Sequence, residues 1–267
     1  MSPTQLDTFS YFQQQQPRHL NMSEFILYDL PSKEPCRSWS ANALKARIVL
    51  NYKKIPFRTE WIPYVRLQET LAATGVTPHP KPNWADYTIP TVRFPDGTVI
   101  MDSEKIIPKI DELYPSPSLH LDRTDIIDAE KAAMGKLFPP LMSWFFPKVA
   151  SRILVEGDIP WFEDDRGRRF GMNMNDLEKS KSEEDCLAEA KPGFEMLEKV
   201  LTDFKKDDGP FIMGQEICYA DFMLVGLVRN MEMLGERERD VIVGQVKGLK
   251  ELYEAGKKYA LTEGIEK

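Results

Sequence analysis

Long apolar runs are missing from this 267-residue chain. No stretch approaches the roughly 20 residues that cross a bilayer, so a membrane partner is not expected. Positive charge is not in excess either. Lysine and arginine number 35 against 42 acidic residues, a net charge of -7. That balance argues against nucleic acid, whose phosphates need a basic face. Cysteine is scarce, with Cys36, Cys186 and Cys218 odd in number and far apart. A disulfide framework is therefore not expected, and a reducing, cytoplasmic compartment is. Only His19, His79 and His120 accompany them, so no cluster has metal-ligand spacing and no metal is expected. Repeats of 20–50 residues are absent, and the second half has no nucleotide-binding glycine motif.

What is present fits an ordinary globular protein. Hydrophobic residues make up 42% and charged residues 29%, which excludes disorder throughout. The length accommodates two compact units of roughly 100 and 150 residues. Residues 1–22 stand apart: Gln13-Gln14-Gln15-Gln16-Pro17 lies in a stretch without apolar periodicity, and a single Arg18 does not make a transit peptide. A disordered N-terminal tail is expected there.

From Phe25 the pattern sharpens. Phe25-Ile26-Leu27-Tyr28 reads as a strand, Ala41 to Lys54 as a helix with Leu44, Ile48 and Tyr52 on one face, Phe57 to Ile62 as a strand, and Val65 to Ala73 as a helix. Two short strands, Thr91 to Phe94 and Thr98 to Met101, flank the turn Pro95-Asp96-Gly97. A third helix spans Ser103 to Leu113, with Pro108 expected to kink or shorten it. The order is βαβαββα over residues 23–114. Tyr114-Pro115-Ser116-Pro117-Ser118 opens a linker, 115–124, beyond which strand signals vanish and an all-α unit, 125–267, is expected. Within that unit an interruption is expected at Pro139-Pro140, and irregular structure over 156–180. Leu187, Ala190, Phe194, Leu197 and Leu201 form a helical stripe, and Val241 to Ala260 a last amphipathic helix. Asp221 at the third position of the helix after Cys218 is an N-terminal signal, although Cys218 is a poor cap.

The βαβαββα order, with a proline just before its third strand, resembles a thioredoxin-like unit. Such a unit offers a thiol ligand two features: the first helix N-terminus and the backbone before a cis-proline. Free N–H groups and about half a positive charge at the terminus stabilise a thiolate. Ser40 stands at that terminus, though position alone favours a plain N-cap. Ile89-Pro90 is the cis-proline candidate; base rates alone favour trans. Asp102 and Ser103 head the third helix and either cap it or hold a carboxylate. Cys36 lacks a partner at CxxC spacing and reads as structural. The aromatic residues Phe138, Trp144, Phe145, Phe146, Trp161 and Phe162 are either core or the wall of an apolar cleft.

Taken together, five segments resemble the cytosolic glutathione transferases, in particular the fungal class A, etherase-like enzymes. They are Leu27-Tyr28-Asp29-Leu30-Pro31 with Ser38-Trp39-Ser40-Ala41-Asn42; Tyr87-Thr88-Ile89-Pro90; Met101-Asp102-Ser103; Arg166 to Gly171; and Gly209 to Gly214 leading to Tyr219-Ala220-Asp221. The resemblance implies an α/β thioredoxin-like N-terminal domain followed by an all-α C-terminal domain. It implies glutathione as co-substrate, activated as thiolate by Ser40 with help from Asn42. Ile89 before Pro90 would pair with the cysteinyl backbone, Asp102 and Ser103 would hold the γ-glutamyl end, and Lys81 the glycyl carboxylate. A small hydrophobic electrophile would lie against Phe138, Trp144, Phe145 and Trp161, in detoxification or secondary metabolism, and the protein would be a homodimer. Two alternatives stay open: a non-enzymatic ligandin or regulatory module on this fold, and a cysteine-dependent reductase or lyase using Cys36. The chain departs from the pattern at Ala41, where proline is usual, and at Leu44, where tryptophan is common.

Overall fold

Apolar strands at the start of the chain build a mixed sheet in the order β2-β1-β3-β4. The computed structural model describes residues 24–83 and 85–262, so the expected tail lies outside the described residues. β1 (Phe25–Asp29) runs parallel to β2 (Phe57–Trp61) and antiparallel to β3 (Thr91–Arg93), which pairs antiparallel with β4 (Val99–Met101). Every β1 residue is buried, as a central strand covered on both faces requires. α1 (Ala41–Tyr52), α2 (Tyr64–Ala73) and α3 (Ser103–Leu113) complete the βαβαββα, thioredoxin-like unit.

One buried ion pair fixes the loop between β1 and α1. Arg47 of α1 and Asp29 of β1 are 3.0 Å apart with both side chains fully buried. Asp29 also accepts from the Ser38 hydroxyl at 2.7 Å and from the Leu30 N–H at 2.7 Å. A buried carboxylate needs these donors to offset its desolvation. The result is a loop anchored two residues before Ser40.

The remainder is helical: α4 (Thr124–Lys148), α5 (Ile159–Phe170), α6 (Met174–Lys179), α7 (Glu183–Asp203), α8 (Tyr219–Leu234), α9 (Glu236–Val243), α10 (Leu249–Gly256) and α11 (Lys258–Leu261). Four sequence expectations are corrected. α4 runs unbroken through Pro139 and Pro140. The carbonyls that these prolines deprive of partners, at Gly135 and Lys136, belong to exposed residues and reach water. Pro108 and Pro192 are likewise exposed and sit inside intact helices. Residues 156–180 are not irregular but carry a short 3-10 turn, α5 and α6. Pro160 lies at the start of α5, Gly171 ends it at φ 69°, and the Asn173 side chain caps α6. The last amphipathic helix divides into three, with Gly244 and Gly248 between α9 and α10.

α4 and α7 cross closely because Gly193 lacks a side chain; a Cβ there would strike the Leu137 backbone. At the centre lies α8, most of whose residues are buried. Its first turn is held by the buried Asp221 carboxylate, which accepts from the N–H groups of Cys218 and Ile212 at 2.8 Å each. Asp221 thus compensates for the weak cap at Cys218. Burial pushes the Asp221 pKa up to about 6.

Candidate functional site

Where α8 meets α1, the helical unit touches the turn that leads into the site. The Asn230 amide donates to the Trp39 carbonyl at 2.5 Å, and a Cβ on Gly226 would lie 3.4 Å from the Ala41 carbonyl. Trp39 is held from its other end by its indole N–H, which donates to the Pro31 carbonyl at 3.2 Å. Ser40 follows directly. Its carbonyl accepts the first α1 hydrogen bond, from Leu44 at 2.9 Å, while its side chain makes no capping bond. The hydroxyl therefore stands at a helix N-terminus without being engaged by the helix.

A cleft of about 1240 Å³ opens beside Ser40 between the sheet unit and the helices. It brings together Ser40, Asn42, Lys81, Ile89, Pro90, Asp102 and Ser103 at one end. Ile89–Pro90 is a cis peptide. The Pro90 carbonyl accepts from the Asp102 N–H at 3.1 Å, which joins the end of this loop to the start of α3. Asp102 caps α3 by accepting from the Glu104 N–H at 3.0 Å. Its φ of 86° places an Asp in a region that costs about 1–3 kcal/mol and recurs at functional sites. Ser103 is buried beside the Tyr219 hydroxyl of α8. Lys81 is exposed and paired with Asp86 at 2.6 Å. His79 meets the Thr88 hydroxyl at 2.8 Å, and together they shape the loop before Ile89.

The other end of the cleft is aromatic. Phe138, Phe145, Phe146, Trp161 and Phe162 line it. Tyr64 of α2 stacks on Trp161 of α5, with centroids 4.9 Å apart and 13° between planes. Burial pushes the Tyr64 phenol up to about 12. Trp144 does not line the cleft, contrary to the sequence reading. It is buried on another face of α4, where its indole N–H donates to Glu183 of α7 at 2.7 Å. Cys36 is not among the lining residues either.

Sequence reasoning gave no site role to two charged groups here. The first is Lys45 and Glu130, which line the polar end. Glu130 is 2% exposed, and burial lifts its pKa to about 7 against the pull of Lys45 and Lys131. Burial lowers the pKa of Lys45. A signal existed: Glu130 occupies the buried face of α4 between Ile126 and Ala133, where an apolar residue is expected. The second is Arg166, Asp165 and Arg169 on α5, at the aromatic end. No group of three or more His, Cys, Asp or Glu suited to a metal occurs among the described residues.

Comparison with known proteins agrees with this geometry. Residues 39–113 match the model of the glutathione S-transferase N-terminal domain, and residues 129–252 that of the C-terminal domain. The glutathione S-transferase-like protein ustS of Aspergillus flavus is 32% identical over 220 residues, covering 76% of this chain and 78% of that protein. The glutathione S-transferase CsGST63524 of Ceriporiopsis subvermispora, solved in complex with glutathione, superposes with a TM-score of 0.78 at 23% identity. That match covers 90% of this chain and 98% of that one. Glutathione transferase GSTFuA2 of Phanerochaete chrysosporium superposes with a TM-score of 0.75 at 25% identity, covering 89% and 98%.

Proposed function

The chain belongs to the glutathione S-transferase family, and on that premise we propose that it conjugates reduced glutathione to a small hydrophobic electrophile. The observation that carries the reading is the Ser40 hydroxyl, unengaged at the α1 N-terminus and opening on the cleft that also holds Ile89, Pro90 and Ser103. A hydroxyl and a helix terminus directed at one sulfur lower its pKa from about 8.5, so more thiolate exists at neutral pH.

In this reading Ser40 donates to the sulfur and Asn42 assists. The Ile89 backbone pairs with the cysteinyl unit, Asp102 and Ser103 receive the γ-glutamyl group, and Lys81 lies nearest the glycyl end. The thiolate attacks an electrophilic carbon held against Phe138, Phe145 and Trp161, so catalysis consists of thiol activation and proximity. The same reading takes residues 23–114 as the glutathione domain, 115–124 as linker and 125–267 as the acceptor domain. It makes the protein a cytoplasmic homodimer serving detoxification or secondary metabolism.

One observation favours a second reading, a non-catalytic binder: the Lys81 charge is already answered by Asp86. A thermal melt separates the two. Glutathione at ten times its Kd stabilises a binding fold by about 1.4 kcal/mol, a rise of about 3–5 °C for this size. No rise at millimolar glutathione would overturn the transferase reading in favour of the binder.

A further inference from the structure

Thiol activation and proximity draw on the aromatic end of the cleft only for its rings, yet that end also carries a phenol hydroxyl. Tyr64 opens α2 directly after Pro63 and lines the cleft. Its ring is held from two sides, stacked on Trp161 at 4.9 Å and tilted against Phe162 at 5.7 Å. A ring held in this way fixes the line of its O–H. That hydroxyl makes no hydrogen bond among the described residues, and its oxygen is not sealed from solvent as the unpaired Arg166 Nε is. A tyrosine hydroxyl set among apolar rings ordinarily has a partner, so this one is available to a ligand.

The surroundings keep this group a donor. Burial raises the phenol to about 12 against the pull of the Arg166 charge, so it stays protonated at physiological pH. Arg166 and Arg169 of α5 favour negative charge at its oxygen, and Asp158 and Asp165 oppose it. Two neighbouring guanidiniums are turned to carboxylates: Arg166 donates to Asp165, and Arg168 pairs with the exposed Asp164 at 3.2 Å. A neutral donor in an apolar wall lets an uncharged ligand approach. It contributes most where charge develops on that ligand during reaction.

We propose that Tyr64 is a catalytic residue toward acceptors whose reacting carbon is conjugated to a carbonyl, its hydroxyl donating to the carbonyl oxygen. The proposal rests on the transferase reading for the thiolate that attacks. The sulfur forms a bond to the β carbon of an aryl enone, and the carbon–carbon π pair moves to the carbonyl oxygen as an enolate. The Tyr64 hydroxyl stabilises that oxyanion while the flat aryl body lies among the rings. The proton released to solvent when the thiol ionised returns from water to the α carbon. The sum is addition of S–H across the double bond, with no other reactant. Displacement of chloride from a saturated carbon instead leaves the charge on chloride, with no oxygen for the hydroxyl to serve.

Two electrophiles separate these chemistries: benzylideneacetone, an aryl enone, and benzyl chloride, which has no oxygen. For the enone, kcat/KM falls about a hundredfold in Tyr64→Phe, chiefly in kcat, while for the chloride it stays near the parent value. Equal loss with both, or no loss with the enone, would overturn the proposal. Raman difference spectra give a second readout that needs no turnover. With S-methylglutathione in the thiol site, the carbonyl stretch of the enone bound to the parent lies below its value in hexane, and Tyr64→Phe restores it. An unshifted stretch in the parent would overturn the proposal whether or not the variant folds, and so would a shift that survives Tyr64→Phe. A lowered stretch that Tyr64→Phe restores, in a protein that conjugates neither electrophile, would uphold Tyr64 as the donor to the acceptor oxygen while removing the transferase reading.

Discussion

The two ends of the cleft are built by different means. The polar end is made of backbone termini: the start of α1 at Ser40, the peptide before Pro90, and the start of α3 at Ser103. The aromatic end is made of side chains from α2, α4 and α5 that meet only in the fold. A backbone site is fixed by short segments, each anchored locally, as Asp29 anchors the loop before Ser40. A side-chain site depends on how whole helices cross. The first kind suits a constant ligand, and the second can be retuned without disturbing the first.

The strongest way to break this contrast is Gly193→Ala. The added methyl meets the Leu137 backbone and separates α7 from α4, at a cost of about 3 kcal/mol for an overpacked crossing. α4 carries Phe138, Phe145 and Phe146 but none of the backbone termini. Uptake of aromatic ligand is expected to fall more than tenfold while glutathione still raises the melting temperature. Equal loss at both ends in a folded variant would show that they are not independent.

A smaller effect sharpens the contrast from the polar end. Burial raises the Glu130 pKa to about 7, from the ordinary 4.5. A carboxyl whose folded pKa is raised contributes stability that is full below its unfolded pKa and lost as pH rises through the folded value. The folded protein therefore loses about 2 kcal/mol from this group between pH 5 and 8. Glu130→Gln removes that slope, so melting temperatures of variant and parent should diverge in favour of the variant toward pH 8. Parallel curves from pH 5 to 8 would refute the assignment.

How much of this could be read from the sequence follows the same division. The strands and helices up to Leu113 were legible because their periods are 2 and 3.6 and Pro95-Asp96-Gly97 marks the turn. Ser40, Ile89, Pro90 and Ser103 were legible as helix starts and a proline, features that belong to short segments. α5 was not, because only Phe162, Asp165 and Arg166 of its residues are buried, which leaves almost no apolar stripe. Pro160 and Gly171 marked its ends instead. The unbroken α4 was missed because proline's disruption depends on whether the freed carbonyls reach water, which requires knowing the exposed face. Trp144 and Phe145 are neighbours in sequence, yet the turn of α4 sends one toward Glu183 and the other to the cleft. Which aromatic residues line a pocket is a property of helix crossing, and so is the meeting of Arg166 on α5 with Phe146 on α4.

The central claim is that the Ser40 hydroxyl holds the bound sulfur as thiolate. The direct measurement is a pH titration of thiolate ultraviolet absorbance for glutathione bound to the parent protein and to Ser40→Ala. A hydrogen bond to a charged group contributes about 1.5–3 kcal/mol, which corresponds to a rise of about 1–2 pKa units in the variant. The account predicts that rise, with glutathione still bound by both proteins. A bound-thiol pKa that is the same in both would contradict it.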